Sequence, residues 1–335
     1  MTASIPSSFP RRSPRENKTV APALDRPYNR FSFDLTRQER NRGDERTRDR
    51  RLCRAVARRR AGERRLADEL RKPLRRLIFL GTGTSVGVPM IGCECSVCRS
   101  TDPRNQRTRP SVLIELERGN LLIDTTPEMR IQLLRERIGV VHAICYTHHH
   151  ADHLFGLDDA RLFPKYLKGP LPVYCELETE TTIRQAFPYA FDEISKRIGY
   201  GGVPKLEFHP IAPGERFEVL GETILPVRLD HGRFAVLGFR IGDLAYCTDV
   251  SRIPQASMEA LMGLDVLILD ALRYEPHPTH FNLEQALEVI ERLNPKHAYL
   301  THISHSFDHE TVLAGLPDRV EPAYDGLAID FSRRG

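Results

Sequence analysis

Six consecutive positions, His148-His149-His150-Ala151-Asp152-His153, place four potential metal ligands in the pattern H-x-H-x-D-H. The preceding run His142-Ala-Ile-Cys-Tyr-Thr147 reads as a short buried strand. Alternate residues just past its end, His148 and His150, can therefore point the same way and share one ion. Asp152 and His153 open the apolar stretch from Leu154 to Leu167. A helix start there aims them back at the same pocket, and its N-terminus holds the Asp152 carboxylate. The spacing thus predicts two ions side by side. A solvated His-rich loop is the alternative, and an aspartate inside a strand-to-helix junction speaks against it.

A second cluster, Gly92-Cys93-Glu-Cys95-Ser-Val-Cys98, has the form C-x-C-x-x-C. Three thiolates at this spacing are one ligand short of a tetrahedral zinc site. His305, in Thr301-His-Ile-Ser-His305, could supply the fourth. The competing reading is three free thiols or a redox pair, but the local Gly, Glu and Ser argue for a loop rather than a core.

The histidine run resembles the metal motif of the metallo-β-lactamase superfamily, and further pieces of that pattern follow in order. Leu121-Leu-Ile-Asp124 matches the strand-ending aspartate that braces the metal loop. His231, closing Pro226-Val-Arg-Leu-Asp-His231, matches the ligand completing the first metal. Asp249, closing Ala245-Tyr-Cys-Thr-Asp249, matches the carboxylate that bridges both ions. His302, closing Ala298-Tyr-Leu-Thr-His302, matches the last imidazole of the second.

With the Cys loop and the Thr-His-Ile-Ser-His element added, the chain resembles the phosphoribosyl 1,2-cyclic phosphodiesterase (PhnP-type) family from about Leu77 to Phe331. The resemblance implies a binuclear metal-dependent phosphodiesterase acting on a small cyclic phosphodiester. It implies two divalent ions, Mn2+ or Zn2+, at His148, His150, Asp152, His153, His231, Asp249 and His302, with Asp152 also catalytic. It further implies a structural Zn2+ at Cys93, Cys95, Cys98 and His305, a catalytic proton donor at His280 in Thr279-His-Phe-Asn-Leu, and a homodimer. Two ions ~3.5–4 Å apart lower the pKa of a shared water to near neutrality and clamp phosphate oxygens. An imidazole suits the protonation of the leaving group because its pKa lies near the working pH.

Other chemistries share parts of this pattern. Endonucleases that process the 3′ end of tRNA share Phe79-Leu-Gly-Thr-Gly83 and the metal motifs, but differ at the Cys cluster. Thioester and lactam hydrolases of the same fold lack the Cys loop. A non-catalytic, metal-loaded protein that binds nucleic acid through its N-terminal segment is the non-enzymatic alternative.

Positioning these residues takes an alternation of strands and helices. Leu77 to Leu80, Val112 to Leu116 and Leu121 to Asp124 read as strands, with Gly119-Asn120 as a turn and Pro127 to Ile138 as a helix. Later strands are expected near Val173, Phe208, Val219, Ile224, Phe239, Ala245, Val266, Tyr299 and Ile329, and helices near Leu157, Ile183, Met258 and Ala286. The order suits an α/β fold of the αββα sandwich type, two mixed β-sheets between helices. Gly81-Thr-Gly-Thr-Ser-Val-Gly87 lacks the Lys and helix of a phosphate loop and reads as a strand-end turn.

Composition divides the chain into two materials. Residues 1–76 carry 21 Arg and 2 Lys against 10 acidic residues, a net +13, which leaves −9 for residues 77–335 out of a total of +4. Residues 1–75 are expected to be a disordered Arg-rich extension, or sequence translated from a start placed too early, and residues 76–335 the hydrolase domain. Nucleic acid is not an expected partner, since that head interleaves acids and has few aromatics. No secretion signal or membrane-length apolar run is visible, and Cys53, Cys145, Cys175 and Cys247 read as reduced thiols, so a cytoplasmic protein is expected.

Overall fold

The computed structural model describes residues 75–331. The Arg-rich segment expected to be an extension lies outside the described residues except for Arg75, which opens the first strand.

Strands β1 (Arg75–Gly81), β2 (Ser111–Leu116), β3 (Gly119–Ile123), β4 (Ala143–Cys145), β5 (Leu171–Cys175) and β6 (Leu206–Pro210) lie side by side in sequence order. A second sheet holds β7 (Phe217–Val219), β8 (Glu222–His231), β9 (Phe234–Ile241), β10 (Leu244–Cys247), β11 (Val266–Asp270), β12 (His297–Thr301) and β13 (Val320–Pro322). The chain then returns as β14 (Ala328–Phe331), antiparallel to β1 at the edge of the first sheet.

Apolar runs such as Leu77-Ile-Phe-Leu80 are continuous because both faces of the sheet are covered. Leu77 and Phe79 point between the sheets, where they meet Leu237, Phe239, Tyr246 and Ile268. Ile78 and Leu80 point outward, under helices α1 (Met129–Arg135) and, further along the chain, α4 (Leu177–Ala186). Between these two lie the short helices α2 (Ala151–Leu154) and α3 (Phe163–Leu167). On the far side of the second sheet, α5 (Gln255–Ala260), α6 (Leu283–Leu293) and α7 (His309–Ala314) cover the Leu225, Leu229, Leu267 and Leu300 face. Two mixed sheets between helices is the architecture the sequence predicts, and every expected strand is present.

Three local expectations need correction. The hairpin turn is Glu117-Arg118, and Gly119-Asn120 already belong to β3. Gly119 is needed there for its φ of +138° and because a Cβ would stand 2.5 Å from the His142 ring. The helix expected from Pro127 to Ile138 is only the seven residues of α1. The stretch from Leu154 to Leu167 breaks at Gly156 into a 3-10 turn over Leu157–Leu162 and then α3. Helix α2 is thus a single turn, too short for a dipole that holds Asp152, whose partners are imidazoles instead.

Parallel pairing sets up the site. β10, β11 and β12 run parallel, with Cys247 opposite Leu269 and Asp270 opposite Thr301. Asp249, Asp270 and His302 therefore emerge at one edge. β3 and β4 are also parallel, and deliver Asp124 and the histidine run to the corresponding edge of the other sheet. Leu237 N donates to Thr147 O at 2.9 Å, tying that loop to the second sheet.

Candidate metal centre

Asp124 organises the histidine loop. It is fully buried, and its carboxylate accepts from Thr147 N (2.8 Å), Thr147 Oγ1 (2.7 Å) and His153 Nδ1 (2.7 Å). Thr147 Oγ1, committed as a donor to Asp124, accepts from His148 Nδ1 at 3.0 Å. These bonds engage both Nδ1 atoms, so the Nε2 atoms of His148 and His153 are the ones turned to the site.

Two groups of donors result. His148, His150 and His231 have ligand nitrogens within 4.8 Å of one another, and Asp152, His153, Asp249 and His302 form a second group by the same measure. His231 arrives from the end of β8 and donates its Nδ1 proton to Thr279 O at 2.7 Å, leaving Nε2 free to bind. Asp249 stands between the groups. Its Oδ2 is 3.2 Å from His153 Nε2, and its Oδ1 is 3.5 Å from His302 Nε2 and 3.9 Å from His231 Nε2. All seven sequence-predicted ligand candidates are thus brought together.

Asp124, Asp249 and His302 adopt left-handed φ values of 66°, 55° and 59°. For residues with a Cβ each costs about 1–3 kcal/mol, a strain that collects where geometry serves a site. Each residue terminates an apolar run, and the reversed φ turns the side chain into the space between the sheet edges.

The electrostatics ask for cations. Burial alone would raise the Asp249 carboxyl, but the imidazoles of His302 and His153 overcome it and hold it well below the usual carboxylate range. Asp152 is lowered in the same way, against its burial, by His153 and then His302. Burial would lower His302, yet Asp249 and Asp152 bring it up to about 9. Burial dominates at His148, whose imidazole is held neutral. The Nε2 atoms of His148, His153 and His302 are buried without a hydrogen-bond partner. A buried group left this way costs ~1–3 kcal/mol, which coordination removes. A set of five imidazoles and two carboxylates fits divalent ions of the Zn2+ and Mn2+ type.

His280 lies beside both groups, 8% exposed, with its ring stacked on His302 at 4.5 Å and 4.6 Å from His231. Its Nδ1 donates to Asp270 Oδ2 at 2.6 Å, and the same oxygen accepts from Val250 N at 3.0 Å. Sequence reasoning passed over Asp270. The signal was present, since Val266-Leu-Ile-Leu-Asp270 is a third apolar run ending in aspartate. His280 is also within ligand distance of His231 and Asp249. Its Nδ1 is engaged by Asp270, so only Nε2 faces the pocket.

Cys93, Cys95, Cys98 and His305 form a separate group with ligand atoms within 4.8 Å of one another. His305 Nδ1 is 3.3 Å from Cys93 Sγ and 3.4 Å from Cys95 Sγ. The Cys98 backbone N–H and then His305 lower the Cys95 thiol to about 6, whereas burial pushes Cys98 up to about 11. Four soft and borderline donors at these separations can hold one tetrahedral ion. His302 and His305 share one loop, pinned by Ile303 N donating to Thr82 O (2.8 Å) and Ser304 N to Leu272 O (3.0 Å). Cys145, Cys175 and Cys247 are buried free thiols, as expected, and Cys53 lies outside the described residues.

This fold and paired donor groups define a metallo-β-lactamase-fold hydrolase, and residues 119–303 match the beta-lactamase superfamily domain. A solved diphosphatase of the PhnP family is 44% identical and superposes with a TM-score of 0.72, covering 78% of this chain and 98% of its own. The chain belongs to the PhnP family of this superfamily. An octanoyltransferase of Porphyromonas gingivalis is 38% identical over 263 residues, 78% of this chain and 52% of that protein. The chain thus spans about half the length of that curated relative. A ribonuclease Z of Pyrobaculum neutrophilum is 25% identical over 296 residues, covering 75% of this chain and 94% of that enzyme. No helix among the described residues is long and apolar enough to cross a membrane.

Proposed function

We propose that the chain hydrolyses a phosphorus–oxygen bond in a small phosphorylated substrate. The observation that carries this reading is the Asp249 carboxylate within reach of both groups of imidazoles, its Oδ2 beside His153 and its Oδ1 beside His302 and His231. His148, His150 and His231 would hold one ion, Asp152, His153 and His302 the other, and Asp249 would serve both. Such a pair supplies an activated water and neutralises charge on the phosphoryl oxygens. The protein's residues do the rest. Asp124 and Thr279 O orient His153 and His231, and the Asp270 carboxylate holds His280 with Nε2 toward the pocket, where it protonates the departing oxygen. Cys93, Cys95, Cys98 and His305 would bind a structural Zn2+, with four protein ligands leaving no open position.

Two bond types fit. The motif pattern favours a cyclic phosphodiester, while the 44% identical diphosphatase favours a diphosphate linkage. We favour the diphosphate, because that likeness spans nearly the whole of the relative. The similarity to ribonuclease Z keeps RNA as the second reading.

The test is hydrolysis by Mn2+- or Zn2+-loaded protein of bis(p-nitrophenyl) phosphate, ADP-ribose, a ribose 1,2-cyclic phosphate, a precursor tRNA and S-lactoylglutathione. Turnover of the small phosphorus substrates, lost on chelation and restored by metal, is expected. Cleavage of the tRNA alone would establish the ribonuclease reading, and activity confined to the thioester would overturn both.

A further inference from the structure

The turn between β8 and β9 carries a cation that no described residue answers. Gly232 and Arg233 join His231 to Phe234, which face each other in register across the two strands. The turn is held by Gly232 N donating to Ser251 Oγ (2.9 Å), and Ser251 Oγ donating to Asp230 O (3.0 Å). Gly232 has a φ of +62°, and a Cβ there would stand 2.6 Å from Thr279 Cγ2. The turn therefore packs directly against the residue that precedes His280, and its position relative to the metal centre is set by the fold.

From this turn Phe234 places its ring 5.4 Å from the His150 ring, nearly perpendicular to it at 86°. The Arg233 guanidinium carbon lies 4.9 Å from the Phe234 centroid. Beyond that ring Arg233 has no hydrogen-bond or ion-pair partner among the described residues. Its neighbours differ, since Arg228 pairs with Glu176 at 2.6 Å and Arg252 with Asp230 at 2.5 Å. A guanidinium propped on an aromatic face is restrained in where it points, while its N–H fork remains open to a ligand. It stands one ring away from His150, hence at the rim of the first donor group.

We propose that Arg233 is a specificity-determining residue that binds the second phosphoryl group of a diphosphate substrate while the first is attacked at the metal centre. This rests on the function proposed above. The planar fork matches two phosphate oxygens, whereas a substrate with a single phosphoryl group offers it nothing. Because the second phosphate leaves with the bridging oxygen and gains negative charge as the bond breaks, the contact strengthens toward the transition state and acts on kcat/KM, not on KM alone.

Arg233→Ala in the metal-loaded full chain should lower kcat/KM for ADP-ribose by about tenfold, the lower end for a lost charge-assisted hydrogen bond at an exposed site. Kinetics on bis(p-nitrophenyl) phosphate should stay within about twofold, and Arg233→Lys should recover part of the loss in kcat/KM on ADP-ribose, since a lysine keeps the charge without the fork. Calorimetric binding of methylene diphosphonate should weaken in parallel, and that of methylphosphonate should not. Equal effects on both substrates, or none on either, would overturn the assignment while leaving the phosphohydrolase reading intact. Wild-type protein that cleaves bis(p-nitrophenyl) phosphate but neither cleaves ADP-ribose nor prefers the diphosphonate would overturn it as well. Failure on every phosphorus substrate would remove the reading beneath it.

Discussion

Replacing His280 by alanine separates proton donation from metal binding. His280 stands outside both donor groups proposed as ligands, and its Nδ1 is taken by Asp270, so the seven ligand side chains are untouched. A general acid contributes about 100- to 10,000-fold, but only where the leaving oxygen is basic enough to need a proton. An alkoxide leaving group should therefore lose kcat by at least ~100-fold, and p-nitrophenolate, stable as an anion near neutral pH, by less than ~10-fold. The substitution also takes one partner from the buried Asp270 carboxylate, which keeps the Val250 N–H at 3.0 Å. That loss destabilises by roughly 1–3 kcal/mol. Asp270→Asn should move kcat the same way but less, since it disturbs the orientation and tautomer of His280 without removing the ring. Steady-state kinetics on matched alkyl and nitrophenyl esters, with metal content by mass spectrometry, make the measurement. Equal losses on both leaving groups, or departure of a metal ion, would refute the proton-donor assignment.

Asp249→Asn tolerates the left-handed φ of 55°, because asparagine is among the few residues that adopt it, and removes only the charge. Affinity for both catalytic ions should fall by at least ~100-fold, the upper end of the loss when only a residue supporting a ligand is changed, and loss of a single ion in metal titrations would contradict the bridging role. Cys95→Ser should lower the melting temperature and remove one zinc per chain while the remaining folded protein keeps its two catalytic ions. A folded variant that retains three metals would show that the loop is not a zinc site. In chelated protein, Cys95, lowered to about 6 by the Cys98 N–H and His305, is a thiolate at pH 7 and should be alkylated ahead of the buried Cys145, Cys175 and Cys247. Its folded pKa lies below the ordinary thiol value, so its charged form favours folding above pH ~9, and that contribution is lost as pH falls to ~6. Peptide mapping after brief iodoacetamide treatment reads the order, and an equal rate at Cys247 would contradict it.

The sequence by itself determined the parts of this protein that are written locally. The H-x-H-x-D-H run needs only a strand end and a turn to gather four donors, and the C-x-C-x-x-C loop needs only its own curvature. Apolar runs ending in Asp124, Asp249 and His302 marked strand ends, because a polar side chain closing a fully buried strand can only sit where the sheet opens. What the sequence left undecided is what depends on neighbouring strands. Asp270 and His280 are ten residues apart, and their pairing follows from the next residue, Phe281, bonding through its backbone to Val250 and Leu272 just past the ends of β10 and β11. The tautomer of His231 is set by a carbonyl 48 residues away, at Thr279. Arg233 looks like any surface arginine until β8 and β9 place the Phe234 ring it rests on against His150. Helix α2 shows the limit from the other side, since an apolar run predicted a long helix and packing allowed one turn. Periodicity reports which face of an element is buried, but the meeting of side chains from different elements is fixed by sheet register, and register is a property of the assembled core.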